Sequence, residues 1–107
     1  MAERKVIEAI EFFEKSLVDS GLNVSEIILF GSQSKENQVR ESDIDLIIIS
    51  DDFKDKNIIE RANVTKDAEI NTIRKFLIPF DIVTLTPEEF ENSMFSEYAK
   101  DSKIIHV

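Results

Sequence analysis

The sequence predicts an α/β protein whose sheet is at least partly parallel. Three short apolar runs have the length of β-strands, and segments with apolar residues at helical spacing lie around and between them. Only two glycines and two prolines interrupt the 107 residues, and there is no repeat or linker-like stretch. Strands separated by helices indicate an α/β fold rather than an all-β one, and residues 1–107 are interpreted as one domain.

The first half of the chain predicts one helix and two strands. Residues 2–20 read as an amphipathic helix, and Gly21 is suited to a left-handed C-terminal cap. Residues 25–30 and 44–50 are strands, and the unbroken apolar run of the second indicates that both of its faces are covered. The polar segment 32–42 between them is a short helix or an ordered loop. The apolar stripe of the helix consists of Val6, Ile10, Phe13 and Leu17.

The second half predicts a long helix and two further strands. Residues 57–77 carry apolar side chains at helical spacing, with a possible break at 63–65. Residues 80–85 form a third strand, and residues 103–107 are a candidate for a last, short one. Because helices can connect consecutive strands, part of the sheet is expected to be parallel.

A further helix is predicted to begin at Thr86. Threonine is a favoured N-cap, Pro87 suits the first helical position, and Glu89 completes a capping box. The helix is expected to continue through four apolar or aromatic residues, which are Phe90, Met94, Phe95 and Tyr98.

Charge and composition exclude several classes of function. The 13 basic and 22 acidic residues give a net charge of −9, which argues against general nucleic-acid binding but allows a basic protein partner. There is no cysteine, so disulfides and thiolate metal sites are excluded. No apolar run approaches the roughly 20 residues of a membrane span, and the N-terminus does not resemble a secretion signal. A cytoplasmic location is therefore expected.

Two aspartates lie unexpectedly at the head of the second strand. Asp43 and Asp45 are two residues apart, so on an extended chain they face the same side, while Ile44 faces the other. The two carboxylates repel each other unless a cation lies between them, and unpaired charge is costly to bury. Magnesium suits such a site because it prefers oxygen ligands. Asp81 repeats the pattern at the head of the third strand and is the candidate third carboxylate.

The turn before the polar segment is suited to holding phosphate. Gly31 allows the backbone to approach a ligand closely, and the Ser32 hydroxyl can bind an anion together with backbone N–H groups. A phosphate site beside an acidic metal site is what nucleotidyl transfer requires. Metal ions neutralise the triphosphate, and an aspartate can accept a proton from the attacking hydroxyl.

These motifs resemble a known family. Gly31–Ser32, ten intervening residues and Asp43-Ile44-Asp45 are similar to the signature of the DNA-polymerase-β-like nucleotidyltransferase superfamily. Within it, the chain resembles the minimal nucleotidyltransferase (MNT) domains, and the resemblance extends from Ser25 to Leu85. The segments that carry it are LFGS at 29–32, SDIDLIII at 42–49 and FDIV at 80–83.

The resemblance implies a fold and a set of site residues. The fold is the nucleotidyltransferase fold, a mixed β-sheet backed by helices. Asp43 and Asp45 carry two Mg²⁺ ions and Asp81 is the third catalytic carboxylate. Gly31 and Ser32 hold the phosphates of the substrate ATP.

The resemblance also implies a partner. Proteins of this kind often pair with a HEPN-domain ribonuclease toxin, and the nucleotidyltransferase is the antitoxin that transfers AMP from ATP to a tyrosine of the toxin. In this chain Gln33, Lys35 and Glu36 stand where family members often have arginine, arginine and glycine. Without the planar guanidinium groups of arginine, bidentate hydrogen bonding to phosphate is weaker. A catalytically weak or inactive domain that neutralises its partner by binding alone is therefore an alternative. A second alternative is transfer of the nucleotide to a small molecule, which the shortness of the chain disfavours.

Overall fold

A computed structural model of the protein describes residues 4–30, 44–98 and 103–105. The polar segment predicted as a short helix or loop, residues 32–42, lies outside this part of the chain, as do residues 2, 3, 106 and 107 of the predicted terminal elements. The helices and strands, in chain order, are α1 Arg4–Asp19, β1 Glu26–Phe30, β2 Ile44–Ile49, α2 Ile58–Phe76, β3 Phe80–Leu85, α3 Pro87–Glu91, α4 Phe95–Tyr98 and β4 Lys103–Ile105.

The four strands form one mixed sheet in the order β3-β2-β1-β4. β1 is antiparallel to β2 and to β4, whereas β2 and β3 are parallel. The connection from β2 to β3 carries α2, as a parallel pair requires. The predicted α/β fold, with a mixed sheet backed by helices, is confirmed.

The main core lies between one face of the sheet and the two long helices. Alternate residues of β2 are completely or almost completely buried on this face: Ile44, Leu46 and Ile48. Phe13 of α1 meets Phe80 of β3 edge to face, with ring centroids 5.3 Å apart. This burial holds β2 and β3 in register, because a shift by one residue would turn every side chain to the other face.

A smaller apolar cluster covers the opposite face of the sheet. Ile47 and Ile49 of β2 are buried there with Ile28 of β1, and Phe90 and Phe95 of the short helices pack against them. Both faces of β2 are therefore covered, as its continuous apolar run predicts.

The C-terminus of α1 confirms the predicted role of Gly21. Gly21 has a φ of 104°, a left-handed conformation that costs little only for glycine. Its N–H donates to the carbonyl of Val18 at 3.0 Å, and the N–H of Leu22 donates to the carbonyl of Leu17 at 3.1 Å. This pair of bonds is a Schellman motif, and Leu17 and Leu22 bury its hydrophobic contact.

The possible break in the second long helix is not present. α2 begins after Asn57, whose side chain forms a capping box with Glu60, and it continues without interruption through residues 63–65. The Thr65 hydroxyl donates to the carbonyl of Ala62 at 3.3 Å, so this polar group has a hydrogen-bond partner within the helix. Its side chain is also buried, so tertiary packing overrides a weak local preference.

The helix after β3 begins as predicted but is shorter. Thr86 and Glu89 form both bonds of the capping box, with Pro87 in the first turn. α3 contains Phe90 and ends at Glu91, Phe95 and Tyr98 lie in the separate helix α4, and Met94 lies in the turn between the two helices. The Ser93 side chain explains the division, because its hydroxyl donates to the Phe90 carbonyl at 2.8 Å and accepts from the Phe95 N–H at 3.2 Å.

Within the part of the chain that the structure describes, no helix is both long enough and apolar enough to cross a membrane.

Candidate active site

Asp45 and Asp81 lie side by side in the sheet. Each is the second residue of its strand, and the parallel register of β2 and β3 makes them direct neighbours. Neighbouring strands run about 4.8 Å apart, and paired residues point to the same face. Ile44 and Phe80, which precede them, belong to the main core. The two carboxylates therefore project from the opposite face, which carries the smaller apolar cluster.

The sequence determines this placement through the core residues. Ile44 and Phe80 are buried against the long helices, so strand alternation turns the following aspartates away from that core. Asp45 is half-buried, whereas Asp81 is exposed. This arrangement avoids burying two like charges among apolar side chains, which would be costly without a partner.

A cavity of about 240 Å³ opens over the two aspartates. It is smaller than the roughly 300–1,000 Å³ of pockets that enclose a whole small-molecule ligand. The described residues therefore supply only part of the volume that a nucleotide needs. The cavity is lined by Asp45, Leu46, Ile47, Asp81, Val83 and Phe95.

A third acidic residue, Glu69 of α2, adds negative charge near Asp81. Burial and the charge of Asp81 both raise the pKa of the Glu69 carboxyl above its usual value. Glu69 and Asp81 are therefore close enough for their like charges to interact, and a cation near them would relieve this repulsion.

The two neighbouring aspartates fit a divalent metal. Carboxylates on adjacent strands that face the same way offer the hard oxygen ligands that Mg²⁺ prefers. Among residues 4–30, 44–98 and 103–105, no group of three or more metal-ligating side chains forms. The additional predicted ligand Asp43 lies outside these residues, so the described part of the chain contributes a pair of carboxylates.

The other predicted site residues also lie outside the described residues. These are Gly31 and Ser32, which are predicted to hold phosphate, and Gln33, Lys35 and Glu36, which differ from the residues that family members often have. The roles assigned to Asp45 and Asp81 stay predictions, although the structure brings these two residues together. Sequence reasoning missed the electrostatic influence of Asp81 on Glu69, because this influence depends on how α2 crosses the sheet. Phe95 was predicted as a residue of the helix that follows Thr86, and it also lines the cavity.

A second polar cluster, centred on Arg61 of α2, lies at the other end of β3. Its guanidinium donates to both carboxylate oxygens of Glu89, at 2.8 and 3.0 Å, and to the carbonyls of Thr84 and Lys56, at 3.1 and 2.9 Å. It also lies over the ring of Phe53, with 5.7 Å to the centroid. The hydrogen bonds from Arg61 and Thr86 lower the pKa of Glu89 to about 2, and Glu89 in turn raises the pKa of Arg61. The cluster joins α2, the end of β3 and α3, and its role is structural.

Comparisons with known proteins identify the family and the fold of this chain. Residues 4–106 match the family model of the nucleotidyltransferase domain. The crystal structure of a proposed nucleotidyltransferase from Sulfolobus solfataricus has a TM-score of 0.58 and 20% identity, covering 95% of this chain and 86% of that one. A mutant of the toxin–antitoxin MntA–HpeT has a TM-score of 0.56 and 19% identity, covering 85% of this chain and 67% of that one. At these identities the two structures show a shared fold. A search of curated proteins found no match.

Proposed function

Because this chain belongs to the nucleotidyltransferase domain family, we propose that it is a magnesium-dependent nucleotidyltransferase that transfers AMP from ATP to a tyrosine of a HEPN-domain ribonuclease toxin. In this proposal it acts as the antitoxin of the pair, in the cytoplasm. The observation that carries the proposal is the direct pairing of Asp45 with Asp81 on one face of the sheet. The fold similarity to a toxin–antitoxin protein supports the choice of partner.

The proposed roles follow from the positions of the residues. Asp45 and Asp81 would hold the metal ions together with Asp43, which strand alternation would turn to the same face. Bound magnesium supplies positive charge to the triphosphate and to the departing pyrophosphate. Gly31 and Ser32 hold the phosphates in place.

The transfer itself forms one bond and breaks one bond. The tyrosine oxygen bonds to the α-phosphorus of ATP as the bond from that phosphorus to pyrophosphate breaks. One of the aspartates accepts the proton of the tyrosine hydroxyl. The smaller apolar cluster, including Phe95, forms an apolar wall of the cavity over Asp45 and Asp81, which limits water at the reacting atoms.

The test is a transfer assay with ATP labelled at the α-phosphate, magnesium and a HEPN protein encoded beside this one. We expect label on the partner, on tyrosine, and no label when magnesium is chelated. Asp45→Asn is expected to abolish labelling. Asp67→Asn, which removes the same charge from an exposed position of α2, is the matched control and is expected to retain it.

The assay separates the proposal from its alternatives. If no label is transferred, and a tight complex with the partner survives Asp43→Asn and Asp45→Asn, the chain is a non-catalytic binding module. If label appears only on a small molecule added to the reaction, the protein substrate is wrong while the chemistry is right.

A further inference from the structure

The strand that carries Asp81 is also an edge of the sheet. Among the strands of the described residues, β3 pairs with β2 alone. The N–H of Ile44 donates to the carbonyl of Pro79 at 2.9 Å, and the N–H of Ser50 donates to the carbonyl of Leu85 at 3.0 Å. In a parallel ladder these bonds use alternate residues of β3, so the backbone groups of Ile82 and Thr84 point away from the sheet.

Only part of this outer edge is covered. Arg61 donates to the outward carbonyl of Thr84 at 3.1 Å, which protects the C-terminal end of the strand. Within residues 4–30, 44–98 and 103–105, no hydrogen bond partner is found for the outward N–H groups of Ile82 and Thr84 or for the carbonyl of Ile82. An unprotected strand edge is a template for pairing with another chain, and proteins commonly block it unless it is used.

A groove of about 640 Å³ runs beside this edge, between β3 and one flank of α2. All six residues of β3 line it, so its length matches a strand of about six residues, roughly 20 Å. Much of its surface is apolar, and at one end Ile58 is 81% exposed. An extended segment lying in the groove would pair with the free backbone groups of β3 and cover apolar side chains of α2.

The charges in the groove select the kind of segment. Its ionisable residues are Glu69, Asp81, Glu89 and Arg61, and the last two satisfy each other in a bidentate pair. Glu69 and Asp81 therefore leave the groove negative. A second copy of this chain, which carries a net charge of −9, would add like charge to it. A segment bearing lysine or arginine has the complementary charge.

We propose that the outer edge of β3 and the adjoining flank of α2 bind an extended, basic segment of a partner protein as an added β-strand. Backbone hydrogen bonds to Ile82 and Thr84 hold the segment, and a basic side chain of the segment meets Glu69 on the flank of α2. This surface acts without nucleotide or metal. It can therefore be tested separately from the proposed transfer reaction.

The test uses a fluorescein-labelled hexapeptide of alternating lysine and valine, added to the whole protein in the presence of EDTA and without nucleotide. Fluorescence anisotropy measures affinity, and amide hydrogen exchange locates the contact. We expect saturable binding with slower exchange at the Ile82 and Thr84 amides. A control peptide of the same sequence has every backbone amide N-methylated. It is expected to lose this binding, because it cannot donate N–H hydrogen bonds to the edge of β3.

Variants of the protein test the two parts of the proposal. Thr84→Pro removes an outward donor without removing a bond to β2 and should weaken binding about threefold to tenfold. Glu69→Gln should weaken it about twofold to fivefold, the effect of one partly exposed ion pair. Asp67→Asn removes the same charge from a position that does not line the groove, and it should leave the affinity unchanged.

Three results would overturn the proposal. The first is that a peptide with glutamate in place of each lysine binds as tightly as the lysine–valine peptide. Another is binding without slower exchange at Ile82 and Thr84, which would place the peptide elsewhere. The third is protection of these amides that rises with protein concentration in the absence of peptide, because a second copy would then occupy the edge.

Discussion

Replacing Arg61 with methionine tests how the structure holds α2 to the end of β3. Only 11% of the Arg61 side chain is exposed, and its guanidinium bonds to Glu89 and to the carbonyls of Thr84 and Lys56. Arg61→Met keeps much of the apolar stem that packs in this region but removes every donor. We expect a folded protein whose free energy of unfolding is markedly lower.

The size of the loss follows from the exposure of each partner. Glu89 is 44% exposed and can be rehydrated, so its pair contributes at most about 1 kcal/mol. The two bonds from the guanidinium to backbone carbonyls contribute roughly 1–1.5 kcal/mol each, a value within the range of ordinary protein hydrogen bonds. The total is about 2–4 kcal/mol. At roughly 4–8 °C per kcal/mol, this corresponds to a fall in Tm of roughly 8–32 °C.

The assay is thermal and urea unfolding followed by circular dichroism, with Arg74→Met as the matched control on an exposed part of the same helix. The control should stay within about 0.5 kcal/mol of the parent protein. The pKa of Glu89 is about 2 in the folded protein against an ordinary 4.5, so the stabilisation from its pair is complete above about pH 4.5 and is lost as the pH falls toward 2. The difference between parent and Arg61→Met should therefore narrow in acid. Equal Tm values for Arg61→Met and Arg74→Met at pH 7 would refute this account of the cluster.

Three further substitutions test separate features of the fold. Glu69→Gln should stabilise the protein at pH 7 but not at pH 4. The pKa of Glu69 is raised in the folded protein, so stability is lost as the pH rises and this carboxyl ionises. Urea unfolding at both pH values measures the change in stability, and equal changes at the two would contradict this reasoning. Gly21→Ala should lower the free energy of unfolding by about 1 kcal/mol, because alanine is strained at a φ of 104°, and an unchanged urea midpoint would argue against the Schellman motif. Thr86→Ala should cost about 1 kcal/mol through loss of the N-cap of α3, and the same measurement checks it, with no change as the opposing result.

Much of the fold could be predicted because it depends on local patterns. The apolar run of β2, the stripe of α1 and the capping box at Thr86 each follow from residues close together in sequence. The sequence of residues 63–65 does not predict that α2 is unbroken. Their helical conformation depends on the burial of Thr65 against the rest of the protein. The end of α3 depends on competing hydrogen bonds of Ser93, for which the sequence alone offers several geometries.

The candidate site was predictable in part for the same reason. Strand alternation indicated that Asp45 faces away from Ile44, and the structure confirms that Ile44 is buried in the main core. The pairing of Asp45 with Asp81 depends on the order and register of distant strands, which periodicity does not determine. The electrostatic influence of Asp81 on Glu69 depends further on the path of α2.

The most direct test of the central claim is the rate of AMP transfer to the HEPN partner by Asp81→Asn, compared with Asp67→Asn at equal magnesium and ATP. Asparagine keeps the shape of the Asp81 side chain while removing its charge, and circular dichroism checks that the fold is retained. We predict a loss of at least about 100-fold, since a carboxylate that holds a catalytic metal contributes several kcal/mol to the transition state. A folded Asp81→Asn protein that transfers AMP as fast as Asp67→Asn would contradict the assignment of this site.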